Sequence, residues 1–308
     1  GVTTTVGSNG QGIRELVVVS GKGGTGKTSL AASLAVLAKE PVVADCDVDA
    51  ADLHLLLDPQ VLERHEFTSG HEAVIRQDAC TGCGLCRDLC RYAAIGMLRD
   101  GDARPVFRVD AISCEGCGVC VHFCPEHAID FPERTCGEWM ISRTRVGPMV
   151  HARLGIASEN SGKLVTLVRS EARRIAGEQG RSMILVDGPP GIGCPVIASM
   201  GGATQALVVT EPTVSGEHDL MRVLELARHF GIPAVVCVNK WDLNPSTTER
   251  IEARALAAGA GTAGRIRYDP GVTAAQIEGL AVVETDTGAA RDIRQVWSKL
   301  THQGGLYG

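Results

Sequence analysis

The chain has 308 residues, 44% of them hydrophobic and only 4% aromatic, with 37 glycines and a formal net charge of −6. This content supports a sizeable buried core and a length suited to two domains, while the acidic balance gives no basic face for sequence-independent nucleic-acid binding. No apolar stretch approaches the roughly 18 residues needed to cross a bilayer, so no membrane span is expected.

Twelve cysteines without a secretory signal ahead of them point to a reducing cytoplasm rather than a disulfide framework. The opening Gly1-Val2-Thr3-Thr4-Thr5 has glycine and threonine at a lipidation-like spacing, too short a match to carry a role. Residues 15–20 read as a buried strand running into a glycine-rich turn, and residues 29–39 set Ala and Leu at helical spacing. Between them Gly21-Lys22-Gly23-Gly24-Thr25-Gly26-Lys27-Thr28 satisfies the phosphate-loop pattern GxxxxGK[ST] in the strand–loop–helix setting the motif requires. Its glycines let backbone N–H groups turn towards phosphates, Lys27 neutralises β and γ oxygens, and Thr28 offers a hydroxyl to Mg²⁺. Ser29, at the helix start, joins the expected nucleotide-binding set. Residues 41–44 make a second short strand, followed by Asp45-Cys46-Asp47-Val48-Asp49; Asp49 and Asp52 read as solvated acids at a helix start.

From about residue 73 to 134 the alternation of strands and helices breaks. Cys80-x2-Cys83-x2-Cys86-x3-Cys90 and Cys114-x2-Cys117-x2-Cys120-x3-Cys124-Pro125 are both bacterial ferredoxin runs, each followed by a turn ending in Ala-Ile. Three thiolates of a run cap one cubane and the fourth reaches the other cluster. One [4Fe-4S] cluster is therefore expected on Cys80, Cys83, Cys86 and Cys124, and a second on Cys114, Cys117, Cys120 and Cys90. Eight cysteines in this pattern suit zinc ribbons poorly. Arg91 stands where the second run has Pro125. Gly82, Gly84, Gly116 and Gly118 allow backbone N–H groups close to the sulfides. Of the remaining cysteines, Cys46 and Cys237 fall in or beside apolar strands, where inert buried thiols are usual.

Residues 136–168 suggest a hairpin and a returning helix. Apolar strands recur at 183–186, ending in Asp187, at 206–210 and at 234–238, with a helix over 216–230 and a last amphipathic one carrying Ile293, Val296, Trp297 and Leu300. Strands alternating with helices imply an α/β P-loop NTPase fold, with a mainly parallel sheet, helices on both faces and functional loops at the strand C-termini. Into it is inserted a bacterial ferredoxin-like α+β module. The expected division is 1–72 and 135–308 for the nucleotide-binding domain and 73–134 for the insertion.

The early Lys22 makes the phosphate loop resemble the deviant Walker family, which includes MinD and ParA, the Mrp-type cluster carriers and the nitrogenase iron protein. With the insertion and Asp187-Gly188-Pro189-Pro190-Gly191, nearly the whole chain resembles MinD-superfamily ATPases with an inserted ferredoxin domain. The resemblance implies ATP and Mg²⁺ as ligands, and Lys22 acting in trans across a dimer, either a homodimer or a heterodimer with a related ATPase. It implies Asp47 at switch I orienting the attacking water, Asp187 as the Walker B acid on the Mg²⁺ side, Gly191 presenting its N–H to the γ-phosphate, and Asn239 contacting adenine. Asn239-Lys240-Trp241-Asp242 also matches the guanine-reading NKxD pattern, which leaves GTP open. Mrp-type carriers place a CxxC pair after switch II, where this chain has Cys194 alone.

The expected function is a cytoplasmic iron–sulfur ATPase that couples ATP binding and hydrolysis in a dimer to electron transfer from two [4Fe-4S] clusters to a partner protein or metal centre. Two alternatives are a factor that assembles or delivers a metal–sulfur cluster to an acceptor protein, and a MinD-like ATP-dependent positioning protein.

Overall fold

The computed structural model describes residues 12–98, 104–155 and 160–303, so Gly1 to Thr5 lie outside the described residues. The chain packs as two units, one holding residues up to 65, 139–153 and from 161 onward, the other 66–138 and 154–160. The expected insertion, 73–134, falls within the second.

In chain order the first unit begins with β1 (Arg14–Ser20), α1 (Lys27–Leu37), β2 (Val42–Asp45), α2 (Leu53–Leu57) and the start of β3 (Gln60–His71). β4 (Val74–Ile75), α3 (Leu85–Leu89), β5 (Ile95–Leu98), β6 (Val106–Val109), α4 (Val119–His122) and β7 (Ile129–Asp130) make the second unit. The chain returns along β8 (Glu133–Arg143) and β9 (Pro148–Leu154), then continues through α5 (Ser161–Glu178), β10 (Met183–Pro190), α6 (Cys194–Met200), β11 (Gln205–Thr210), α7 (Val214–His229) and β12 (Ala234–Asn239). It closes with α8 (Pro245–Ala257), β13 (Gly261–Ile266), α9 (Gly271–Ile277) and α10 (Gly288–Gln303).

The main sheet has the order β13-β12-β11-β1-β10-β2-β9-β8-β3, and its pairs from β13 to β9 are all parallel. Strands buried on both faces favour near-continuous apolar runs, which is how Leu16 to Val19 and the other runs read. Along β1, Leu16 and Val18 join a core with Leu30 and Leu34 of α1 and Ile293, Val296 and Leu300 of α10. The intervening Val17 and Val19 are also fully buried, facing the opposite way, and α5 to α8 pack against the same strands. Ile293, Val296 and Leu300 are each no more than 3% exposed, so the last amphipathic stripe is a core face. No helix among the described residues is long and apolar enough to cross a membrane.

Two details differ from the sequence reading. Residues 60–71 form a strand, mostly exposed, whose polar composition gave no such signal. β10 also runs past Asp187 to Pro190, because Ser20 pairs with Pro190 after a register shift in β1, so the strand expected to end at Asp187 continues through Gly188, Pro189 and Pro190.

In the second unit β4 pairs antiparallel with β7 and β5 with β6. Its core of buried residues is Ala73, Ile75, Ile95, Phe107 and Ile129, with six of the ferredoxin-run cysteines half-buried against it. That is a thin apolar core for a unit of this size, the situation in which small scaffolds depend on disulfides or metal.

Candidate nucleotide and cluster sites

The loop after β1 closes on itself through glycines in left-handed backbone, Gly24 at φ 78° and Gly26 at φ 85°. A Cβ at Gly26 would collide with Asn239 Nδ2, which donates to Thr25 O at 2.8 Å. Asn239 thus ties the end of β12 to the phosphate loop. Around the loop lies a cavity of about 440 Å³ lined by Gly23 to Leu30, Asp47, Asn239 and the segment after β13 that includes Arg267, Tyr268 and Asp269.

At its base Lys27 Nζ is 2.8 Å from Asp187 Oδ1 and 3.4 Å from Asp47 Oδ2. Asp45, at the end of β2, lies beside Asp187 in ladder register and is fully buried. Burial works to lower the affinity of Lys27 for its proton, but Asp187 and Asp47 outweigh it and hold the ammonium above its ordinary pKa. Burial raises Asp47, with Lys27 opposing; it raises Asp45 further still, and the neighbouring Asp187 charge adds to it. Three buried carboxyl groups share one ammonium, and Asp45 Oδ2 and Asp187 Oδ2 have no hydrogen-bond partner. Two orphaned carboxylate oxygens beside a phosphate loop fit a hydrated Mg²⁺ with its few carboxylate contacts.

The structure therefore gathers Gly23, Gly24, Thr25, Gly26, Lys27, Thr28, Ser29, Asp47 and Asn239 around one cavity, with Asp187 beneath Lys27. Gly21 and Lys22 are not among the lining residues. Lys22 Nζ instead lies 3.2 Å from Ser215 Oγ, 3.5 Å from Thr213 Oγ1 and 3.8 Å from Glu211 Oε2, all on its own chain. Gly191 donates its N–H to Ser20 O at 2.8 Å, so that group would have to exchange partners to meet a phosphate. Asp242 does not line the cavity, and its Oδ1 accepts from the Tyr268 N–H at 2.7 Å, which turns the fourth position of the NKxD pattern towards loop support.

Sequence reasoning missed Gln276 of α9, which lines the cavity and donates to Ser29 Oγ at 2.6 Å, and the Arg267–Asp269 segment. No motif marks them. Asp45 carried only the signal of a strand-terminal acid, which a single sequence cannot separate from its acidic neighbours, and its register with Asp187 appears only in the sheet.

In the second unit Cys80, Cys83, Cys86 and Cys124 line one cavity, and Cys90, Cys114, Cys117 and Cys120 line another. α3 and α4 begin at Gly84 and Gly118, both in left-handed backbone, with Phe107 and Phe131 closing over them at matching places. Among the described residues no three His, Cys, Asp or Glu side chains are grouped closely enough for a single metal ion. Cys46, Cys136 and Cys237 are buried, whereas Cys194 is exposed at the first position of α6.

Residues 16–282 match the CobQ/CobB/MinD/ParA nucleotide binding domain family. Two uncharacterized proteins of Methanocaldococcus jannaschii are similar, one 34% identical over 75% of this chain and 80% of its own length, the other 26% identical over 74% and 81%. Among solved structures, the septum site-determining protein MinD of Pyrococcus horikoshii complexed with Mg-ADP matches 96% of this chain and 98% of its own, with TM-score 0.56 at 18% identity. A chain of the MinC:MinD cell division protein complex of Aquifex aeolicus matches 94% of this chain and 96% of its own, and the ATP complex of Cyanothece McdA matches 97% and 99%, each with TM-score 0.55 at 19% and 18% identity.

Proposed function

The chain belongs to the CobQ/CobB/MinD/ParA nucleotide-binding family, and from that premise we propose that it is a Mg²⁺-dependent ATPase whose nucleotide state switches a dimer and governs two [4Fe-4S] clusters in its second unit. In this reading residues 73–134 are a ferredoxin-like insertion and the phosphate loop is of the deviant Walker type. Lys27 holds the β- and γ-phosphate oxygens, Thr28 and Asp187 take the metal side, and Asn239 faces adenine. Asp47 accepts a hydrogen bond from the attacking water, and Lys22 leaves its contacts at Ser215 and Glu211 to reach the partner's nucleotide. The complexes of the solved neighbours with Mg-ADP and ATP support the choice of nucleotide.

The cluster part rests on one observation. The eight cysteines divide between two cavities crosswise, each cavity taking three from one run and the last cysteine of the other, as a two-cluster ferredoxin requires. When bound, such clusters supply one-electron redox chemistry.

The test uses anaerobically reconstituted full-length protein. Iron and sulfide for two clusters, with an oxidation rate towards a one-electron acceptor that differs between Mg-ATP and Mg-ADP, is the expected result; an identical rate in both states overturns the coupling.

A second reading, ATP-dependent positioning on a surface, draws more directly on the solved neighbours, since MinD, McdA and a MinC-bound complex are among them. Sedimentation with anionic liposomes tests it. ATP-dependent pelleting favours it, and equal partition with and without ATP removes it. Delivery of a cluster to an acceptor protein is the weakest of the three readings, because Cys194 is a single thiol where a bridging site needs two per chain.

A further inference from the structure

The two halves of the second unit are near copies, which makes their departures from symmetry informative. The turn after each run's last cysteine has the same form. Ala93 sits at φ 52° and donates to Cys90 O at 3.2 Å; His127 sits at φ 47° and donates to Cys124 O at 3.1 Å. One residue later the copies diverge. The Ala128 N–H donates to Cys124 Sγ at 3.3 Å, whereas among the described residues the matching Ala94 N–H makes no bond to Cys90 Sγ. The sequence differs at the same place: Pro125, whose ring restricts φ, follows Cys124, while Arg91, with no such restriction, follows Cys90.

A second difference lies at the first cysteine of each run. Arg104 donates one guanidinium nitrogen to Cys80 O and another to Gln77 O, forking across the loop that carries the ligand. The counterpart, Arg134, makes one long bond of 3.4 Å to Cys114 O. Both features favour added negative charge on the same side. An N–H pointing at a ligand sulfur stabilises the more electron-rich state, and so does a cation held on the backbone carbonyl of a ligand cysteine.

Arg91 is a cation beside Cys90 and acts in the opposite sense, but it is exposed and its field is screened by solvent. Arg104 is exposed as well; its difference is that two backbone carbonyls of the ligand loop fix its position.

We propose that the two clusters are unequal, and that the one held by Cys80, Cys83, Cys86 and Cys124 is the more easily reduced, through the Pro125-set bond of Ala128 to Cys124 and the Arg104 fork on the Cys80 loop. The inference rests on the cluster reading above. The first electron delivered by a reductant such as dithionite converts that cluster from the 2+ to the 1+ state, and the Cys90-ligated cluster is reduced second. Arg104 and Pro125 are positioning residues here, since neither touches the reacting atoms.

Potentiometric titration of the reconstituted full chain, followed by EPR, reads both potentials without any turnover assay. Two resolved one-electron steps are expected. Arg104→Met lowers the upper step and leaves the lower one in place, and Arg104→Lys, which keeps the charge but loses the fork, falls between. Arg91→Pro raises the lower step relative to Arg91→Ala, which controls for the lost charge, so that the two steps approach each other. Coincident steps in the wild type, a lower step that moves in Arg104→Met, or equal potentials in the two Arg91 variants would overturn the inference while leaving the clusters themselves established. Absence of iron and sulfide from the reconstituted wild type would instead overturn the reading on which it rests.

Discussion

Replacing Lys27 by Met keeps most of the side-chain volume and removes the one ammonium among Asp45, Asp47 and Asp187. Lys27 is 6% exposed, Asp187 1% and Asp45 0%, so the carboxylates left behind cannot turn to bulk water. Breaking a buried ion pair from one side costs about 3–5 kcal/mol, and protonation of the carboxylates keeps the cost from rising further. At roughly 2–4 °C per kcal/mol for a unit of this size, the metal-free variant should melt about 6–20 °C below the wild type. The pH dependence has a definite sign. Lys27 is raised above 10.5 in the folded chain, so its contribution is complete at neutral pH and fades only as pH rises through that elevated value. On the acid side the deficit should shrink as Asp45 and Asp47, both raised above 3.8, take up protons. Differential scanning calorimetry of the nucleotide-free proteins at pH 5, 7 and 9, with and without Mg²⁺, makes the measurement, and Mg²⁺ should raise the variant's Tm more than the wild type's. An unchanged Tm at pH 7 would mean that the carboxylates are already neutral without Lys27, and the electrostatic account of the site would fail.

Asp47→Asn should bind nucleotide within a few-fold of wild type but slow phosphate release by about 10²–10⁴, the usual size of a lost base or water-orienting group; undiminished hydrolysis would take Asp47 out of the reaction. Asp242→Ala should leave the ratio of ATP to GTP affinity unchanged in competition binding, because its carboxylate supports Tyr268 instead of lining the cavity, and a selective loss of GTP binding would restore it to base reading. Burial pushes the Cys237 thiol up to about 12, so iodoacetamide at pH 8 should label it only after denaturation, and labelling of the folded chain would contradict its burial. Between the ordinary thiol value of 9.0 and about 12 the unfolded thiol ionises and the folded one does not, so this position lowers stability as pH rises through that window.

The parallel sheet was legible because strands covered on both faces are apolar along their middles, and LVVV, MILV and AVVCV are. The strand over Gln60–His71 was not, since QVLERHEFTSGH is held in the sheet by backbone pairing and buries little beyond Phe67. The extension of β10 through Gly188-Pro189-Pro190 was hidden for a related reason. Glycine and proline mark a turn locally, but a strand's end depends on its neighbour, and Ser20 continues to pair with Pro190.

The site divides along the same line between local and non-local chemistry. GxxxxGKT marks its residues because one short loop must surround a phosphate, so spacing alone carries the information. Gln276 reaches Ser29 from 247 residues away, and Asp45 is raised by burial and then by the charge of Asp187 on an adjacent strand that arrives much later in the chain; neither relation leaves a trace in local spacing. NKxD shows the reverse failure, since the pattern is present but Asp242 is spent on the Tyr268 backbone, and a motif specifies chemistry only while its side chains remain free to perform it. The cysteine runs sit between these cases. Their spacing is enough to sort eight cysteines into two sets, yet it treats the sets as equivalent. What distinguishes them in the fold, among the described residues, is an N–H bond to Cys124 that Cys90 lacks and an arginine that forks across one loop and not the other, and those are properties of packing rather than of spacing.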